Sequence, residues 1–446
     1  MVRMHSKSKQ DRTNSDVQMS RHHWRKRIKK KSSSLRWKKA LFLFAFLIPI
    51  PLIIQASDIK GRFYVSDYYS NDSNRNDVQI VSSKLRLYKQ EDEKPGFYFN
   101  LDGEIREKIS DGEDVPDNRL SELWLGYKFQ QNLNVIFGRQ YIYQLFNTYI
   151  DGLNLKYQIK KGMGFGVFGG LAPDPYDNSV DAKYTSFGAY GFLEQEKYQF
   201  YVGCEDLMYK GKTDRQYCSA RLNAALSDKA RFDGLSSVSI NQRTNNFEIE
   251  NASANLSITA TRDLRFQLFY DYYRAIHYFE SSKKLFSDYD YRENYFLDTN
   301  SQSRAGGRVD YRLAKGLNVY AAVAYQTRNI DNDHAVRYTG GFTKHDLLGF
   351  NLSGRYTHID NFNSKNDEFN VEVSRNFLDR VDVSVYANKE EEKLDDEGGF
   401  TTGTLTYGTS VYWQINKNYF VSMFAERYDG DDYYNTSVFT QAGYRF

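Results

Sequence analysis

From residue 58 to residue 446 the sequence predicts an all-β fold: a closed antiparallel up-and-down transmembrane β-barrel of about 22 strands, with no plug domain. Three observations lead there. Stretches of about ten residues alternate apolar and polar side chains, short and long polar connections take turns between them, and a leader of the exported type precedes them. In Phe97-Tyr98-Phe99-Asn100-Leu101-Asp102-Gly103-Glu104-Ile105-Arg106, the odd positions suit lipid and the even ones carry polar groups into water.

The leader occupies residues 1–57 and reads as a secretory signal peptide with a long basic n-region. Arg25-Lys26-Arg27-Ile28-Lys29-Lys30-Lys31 and Arg36-Trp37-Lys38-Lys39 precede an apolar stretch from Ala40 to Ile54 and the small pair Ala56-Ser57. Pro49 and Pro51 interrupt that stretch, which disfavours an uncleaved helical anchor. Translation starts at Met1 or Met19. The leader holds 14 of the 60 Lys and Arg but only 2 of the 57 Asp and Glu. Residues 58–446 therefore carry 46 basic and 55 acidic residues, a net of about −9. The basic cluster lies in the removed segment, so a nucleic-acid partner is not expected.

Beyond the leader no apolar run is long enough for a membrane helix. Six prolines against 37 tyrosines and 31 phenylalanines fit long paired strands. With only 2 cysteines, the chain is not a disulfide scaffold.

Taken in order, the strands are separated by short breaks at Glu194-Gln195-Glu196, Arg262-Asp263, Ala314-Lys315-Gly316, Asp379-Arg380 and Asn416-Lys417. These alternate with longer polar segments at 70–77, 108–117, 172–183, 276–302, 329–336, 389–399 and 429–434. Outer-membrane barrels have this asymmetry, short turns inside and long loops outside, and an even strand count puts both mature termini in the periplasm. One hairpin is specific enough to predict contacts. A turn around Lys210 to Thr213 sets Phe200 opposite Leu222, Val202 opposite Ala220 and Cys204 opposite Cys218 on the apolar face, with Tyr201 opposite Arg221 and Gln199 opposite Asn223 on the polar one. The cysteine neighbours are read first as small apolar residues at the lipid face, with a cross-strand disulfide as the alternative. They make no metal site, for no His or acidic ligands accompany them.

The chain ends Gln441-Ala442-Gly443-Tyr444-Arg445-Phe446. This resembles the C-terminal strand of bacterial outer-membrane β-barrel proteins of the porin-like type. The resemblance implies an assembly signal at Tyr444 and Phe446, read by the barrel-assembly machinery. The wording around Phe137-Gly138-Arg139-Gln140, Asp151-Gly152-Leu153 and Phe168-Gly169-Gly170-Leu171-Ala172-Pro173-Asp174-Pro175 is similar to that of porin-like barrels. Siderophore-type transporters also have about 22 strands but carry a plug ahead of the first; here alternation starts at Ile59 and leaves no room for one.

The polar phase of the strands supplies the candidate pore-lining residues Asp102, Glu104, Arg106, Lys156, Arg221, Arg265, Asp271, Arg308, Asp310, Arg312, Arg355, Glu372, Asp382 and Glu426. Rings or opposed arcs of such charges set ion preference, whereas in a wide lumen they are simply solvated or pair among themselves. Gly162, Gly164, Gly166, Gly169 and Gly170 lack the following helix and lysine of a nucleotide loop. Their missing side chains leave space for an inward-folded loop, another backbone or a partner, and residues 139–151 lie nearest in sequence. The phase of Arg139 is ambiguous. His277, His334, His345 and His358 do not cluster for a metal or a serine nucleophile, so no enzyme and no cofactor is expected. Asp429-Gly430-Asp431-Asp432 and the run from Glu390 to Glu397 lack calcium-loop spacing and read as solvated tips. No haem-attachment motif occurs. Tyr127, Phe129, Tyr157, Trp413, Tyr419, Tyr444 and Phe446 are expected in aromatic belts.

These features support a passive outer-membrane channel for small hydrophilic solutes, surrounded by lipid and lipopolysaccharide. Because a barrel of about 22 strands would be wide, the alternative is a filled one, in which loops or a partner such as a periplasmic multihaem cytochrome occupy the lumen. A third reading, a surface adhesin, rests on the Tyr- and Asp-rich segment 276–302.

Overall fold

The computed structural model describes residues 59–446 apart from 75–76, 93, 110–117, 130–131, 146–147, 175–178, 242–245, 275–300, 330–332, 395–399 and 432. The leader, His277 and most of the 276–302 connection therefore lie outside the described residues. The strands are β1 (Lys60–Asp72), β2 (Asp77–Lys89), β3 (Gly96–Lys108), β4 (Arg119–Phe129), β5 (Leu133–Ile142), β6 (Thr148–Lys160), β7 (Met163–Pro173) and β8 (Val180–Glu194). They continue through β9 (Tyr198–Tyr209), β10 (Lys212–Ser227), β11 (Ala230–Asn241), β12 (Asn246–Thr259), β13 (Leu264–Arg274), β14 (Ser301–Ala314) and β15 (Leu317–Arg328). The last are β16 (His334–Leu347), β17 (Phe350–Asp360), β18 (Ser364–Phe377), β19 (Val381–Leu394), β20 (Thr401–Gln414), β21 (Tyr419–Gly430) and β22 (Tyr434–Arg445).

Each strand pairs antiparallel with the next, and β1 pairs with β22 through Phe63 opposite Tyr444 and Val65 opposite Ala442. The sheet is thus closed, and no edge is left to seek a partner. The β9–β10 register is the one its alternation predicts: Phe200 faces Leu222, Val202 faces Ala220, and Tyr201 faces Arg221. Lys210 and Gly211, at φ of 51° and 75°, close it as a two-residue turn. Cys204 and Cys218 are joined by a disulfide, so the secondary reading of that pair is the one the structure takes. Directly opposed positions brought close by the ladder place the two sulfurs within bonding reach.

The ten connections at the end shared by the barrel's first and last residues include tight turns at 161–162, 228–229, 315–316 and 348–349, whereas the longest connection, 275–300, lies at the other end. The strands run further than the polar segments suggest. Glu390 to Leu394 continue β19, and Asp429 and Gly430 close β21, so these acidic residues belong largely to strands and not to loop tips. A strand can extend beyond the apolar band because its backbone pairing does not depend on which side chains it carries.

Burial is turned inside out. Phe97, Phe137, Leu268 and Val385 are among many large apolar side chains left exposed, while Asn100, Asn154, Ser186, Ser219 and Thr357 are buried. A soluble domain avoids such a surface, but a wall between hydrocarbon and a polar interior requires it. Near the short-turn end, Tyr127 lies 4.5 Å from Phe129, Tyr157 5.6 Å from Phe165, and Tyr419 4.7 Å from Tyr444, ring centre to ring centre.

Candidate functional site: a hairpin tip folded into the lumen

One hairpin leaves the wall. β5 pairs with β4 only as far as Arg139 opposite Leu123, and β6 pairs with β7 only from Asp151 opposite Leu171. Beyond those rungs β5 and β6 pair with each other alone, through Gln140–Ile150, Tyr141–Tyr149 and Ile142–Thr148. The bend is made at Gly138, whose φ of +123° and close approach to the Leu123 carbonyl exclude any side chain. Arg139 stitches the corner. Its guanidinium donates to both Asp151 oxygens at 2.7 Å and to the Leu120 carbonyl at 3.0 Å. This explains why the phase of Arg139 is ambiguous in the sequence: it stands where a wall strand becomes a free hairpin.

The tip lies on the inner faces of β7 to β10. Ile142, Leu145 and Ile150 are fully buried and pack with Phe168, Tyr190, Phe192 and Tyr201. Glycines prepare this floor: Gly164 and Gly166 make room for the rings of Phe192 and Tyr190. The tip is also held by polar contacts. Thr148 hydrogen-bonds Glu205 and Tyr217, and Glu205 accepts from Ser186 at 2.6 Å. Tyr143 and Tyr201 both donate to Glu194, at 3.0 and 3.2 Å. Nearby, the buried pair Arg215–Glu250 supports the same wall, with Arg215 lying 4.1 Å above the Tyr217 ring. Buried polar groups paired this completely define one position for the tip.

The other side of the tip faces open space. Tyr141, Tyr143 and Gln144 border a cavity of about 660 Å³ whose far wall is built by β10 to β16, including Arg221, Asp233, Asp271, Arg304 and Arg337. Arg304 pairs with Asp271 at 2.7 Å, and both remain about half exposed.

The fourteen residues named from the sequence fall on the phase opposite the exposed apolar side chains. Asp102, Glu104 and Arg106 follow buried Tyr98 and Asn100 on β3, with Lys84 3.2 Å from Asp102 and Arg106 2.7 Å from Glu104. Lys156 sits over the Phe192 ring at 4.4 Å, beneath the tip. Arg221 and Asp271 line the cavity. Arg265 and Asp310 are cross-strand neighbours, yet Asp310 takes Arg308 at 2.6 Å, and Arg308 also covers Tyr320 at 3.8 Å. Arg312 meets Asp263 at 3.6 Å and Arg355 meets Glu368 at 2.6 Å. Glu372 lies opposite Ser353, Asp382 accepts from Asn376 at 2.6 Å, and Glu426 accepts from Tyr386. The charges are not spread evenly. Arginines dominate β13 to β17, and carboxylates dominate β18, β19 and β21.

Sequence reasoning missed Tyr141, Tyr143, Gln144, Thr148, Glu205, Arg304 and Arg337. Arg304 and Arg337 stand beside long connections, where alternation gives least guidance. The tip residues carry a usable signal in the broken phase at Gly138-Arg139.

No protein-family model matches the sequence, and neither does any curated protein. Among solved structures, the P pilus usher PapC translocation pore is similar at 10% identity and a TM-score of 0.47, over 86% of this chain and 99% of that one. Pseudomonas aeruginosa OpdQ is similar at 10% identity and a TM-score of 0.46, over 87% and 100%. P. aeruginosa OpdK, solved with vanillate, is similar at 8% identity and a TM-score of 0.44, over 87% and 99%. Likeness of this degree says nothing about what crosses the present barrel. Its own geometry, closed, antiparallel and inverted in polarity, is that of an up-and-down transmembrane β-barrel.

Proposed function

We propose that the chain is an outer-membrane channel for passive diffusion of small hydrophilic solutes, narrowed by the β5–β6 tip. One observation carries this reading: charged side chains on the inner phase stay substantially exposed although the barrel is closed, as at Arg304 and Asp271 (48% and 43%) or Arg308 and Asp310 (38% and 34%). Charges in those positions are stable only in water, so the lumen beside the tip is wet. The fourteen residues above, with Arg304 and Arg337, are its lining. In this reading residues 1–57 are removed on export, both mature termini and the short turns face the periplasm, and Tyr444 with Phe446 directs assembly.

Reconstitution in a planar bilayer tests it. The purified barrel should give stepwise ion conductance that persists in the absence of any other protein. A barrel that is silent alone, and conducts or carries electrons only after copurifying with a haem protein, would be a sheath and would overturn the proposal.

A further inference from the structure

The cavity beside the tip carries positive charge that nothing among the described residues around it neutralises. Arg304 is matched by Asp271 at 2.7 Å, and Asp233 is met by Arg231 at 3.8 Å. Arg221 and Arg337 line the same space, are exposed, and have no carboxylate partner among the described residues. Among the described residues the tip contributes neutral groups to it, the phenols of Tyr141 and Tyr143 and the amide of Gln144. Resting on the channel reading, we infer that this gap is an anion filter, with Arg221 and Arg337 as its selectivity-determining residues and small inorganic and organic anions as its preferred solutes.

The physical argument is local field against average field. With a net of about −9 beyond the leader, the chain as a whole would enrich cations. Two uncompensated guanidiniums beside a narrowed, partly apolar passage act at short range, where field is focused and screening is weakest. Guanidinium also offers a planar set of donors suited to carboxylate or phosphate oxygens, and it keeps its charge at every physiological pH. The opposed carboxylates on β18, β19 and β21 do not line this cavity.

The test is the reversal potential of single channels in a tenfold KCl gradient. Wild type should prefer chloride over potassium by up to about thirtyfold, since one uncompensated charge within about 4 Å in water enriches the anion about fivefold and depletes the cation about as much. The double variant Arg221→Gln/Arg337→Gln should lose most of that preference, and Arg221→Lys/Arg337→Lys should retain it. Lys417→Gln, in the short turn between β20 and β21 and away from the cavity, should leave it unchanged. A wild-type barrel that prefers potassium or shows no preference, or a double Gln variant that keeps chloride selectivity, overturns the inference while leaving the channel intact. Absence of any conductance removes the channel reading and this inference with it.

Discussion

Leu145 occupies the space that a side chain on Gly203 would need: a Cβ built on that glycine lies 2.7 Å from Leu145 Cδ2. The contact joins the end of the β5–β6 tip to the wall of β9, two strands beyond its own sheet neighbour. Gly203→Val should therefore lift the tip from its floor while also pressing on the Ala189 carbonyl of β8, 2.6 Å from the same Cβ, at a cost of about 1–3 kcal/mol or more, typical of overpacking. Single-channel conductance should rise, and limited proteolysis should cut near residue 145. Unchanged conductance in a folded variant would mean that the tip does not narrow the passage.

Thr148→Val keeps the shape of the tip and removes its hydroxyl. Glu205, buried at 7% exposure, then retains Ser186 but loses Thr148, and Tyr217 loses the same partner. Leaving a buried carboxylate short of a donor costs about 1–3 kcal/mol. The expected readout is increased open-channel noise together with a lower thermal midpoint in detergent.

Gly138→Ala places a Cβ 2.2 Å from the Leu123 carbonyl at a backbone angle that L-residues rarely adopt. Strain of this kind costs about 1–3 kcal/mol. The yield of heat-resistant folded barrel should fall, measured as the unshifted fraction on cold gels. A yield equal to wild type would show that β5 leaves the wall without this bend.

The two faces of β13 should respond oppositely to the same charge. Leu268 faces outward at 54% exposure, and Gln267 beside it lines the cavity. Leu268→Arg should destabilise the barrel in bilayers by about 2–4 kcal/mol if it lies near the midplane. Gln267→Arg should insert normally and change only conductance. Urea titration in lipid vesicles separates the two.

Replacing both Cys204 and Cys218 by alanine opens a link spanning 14 residues. Chain entropy allows at most about 3 kcal/mol for such a loop, and a ladder that already pairs Lys212 with Tyr209 and Ala224 with Tyr198 should reduce the effect further. Denaturation under reducing and oxidising conditions measures it. Conductance should be unaffected, since both sulfurs lie on the phase of outward-facing Phe200 and Val202.

Alternation, connection lengths and aromatic content were sufficient for the strand number, the antiparallel order, the face of each strand and even single contacts such as Phe200 with Leu222. Each of these follows from neighbours in sequence, because a pleated strand assigns every second side chain to one face and a tight turn sets the register. The glycines of β7 marked space on the inner wall, and residues 139–151 were near enough to fill it. That the tip does so, on Phe168, Tyr190 and Tyr201, is a contact between strands that are not ladder partners. Only tertiary packing decided it, along with the bend at Gly138, the stitch from Arg139 to Leu120, and the meeting of Tyr143 with Arg221 and Arg337 around one cavity. Period-two patterning specifies which side of a wall a residue occupies; which residues meet across the lumen depends on closure and on how a hairpin folds through three dimensions.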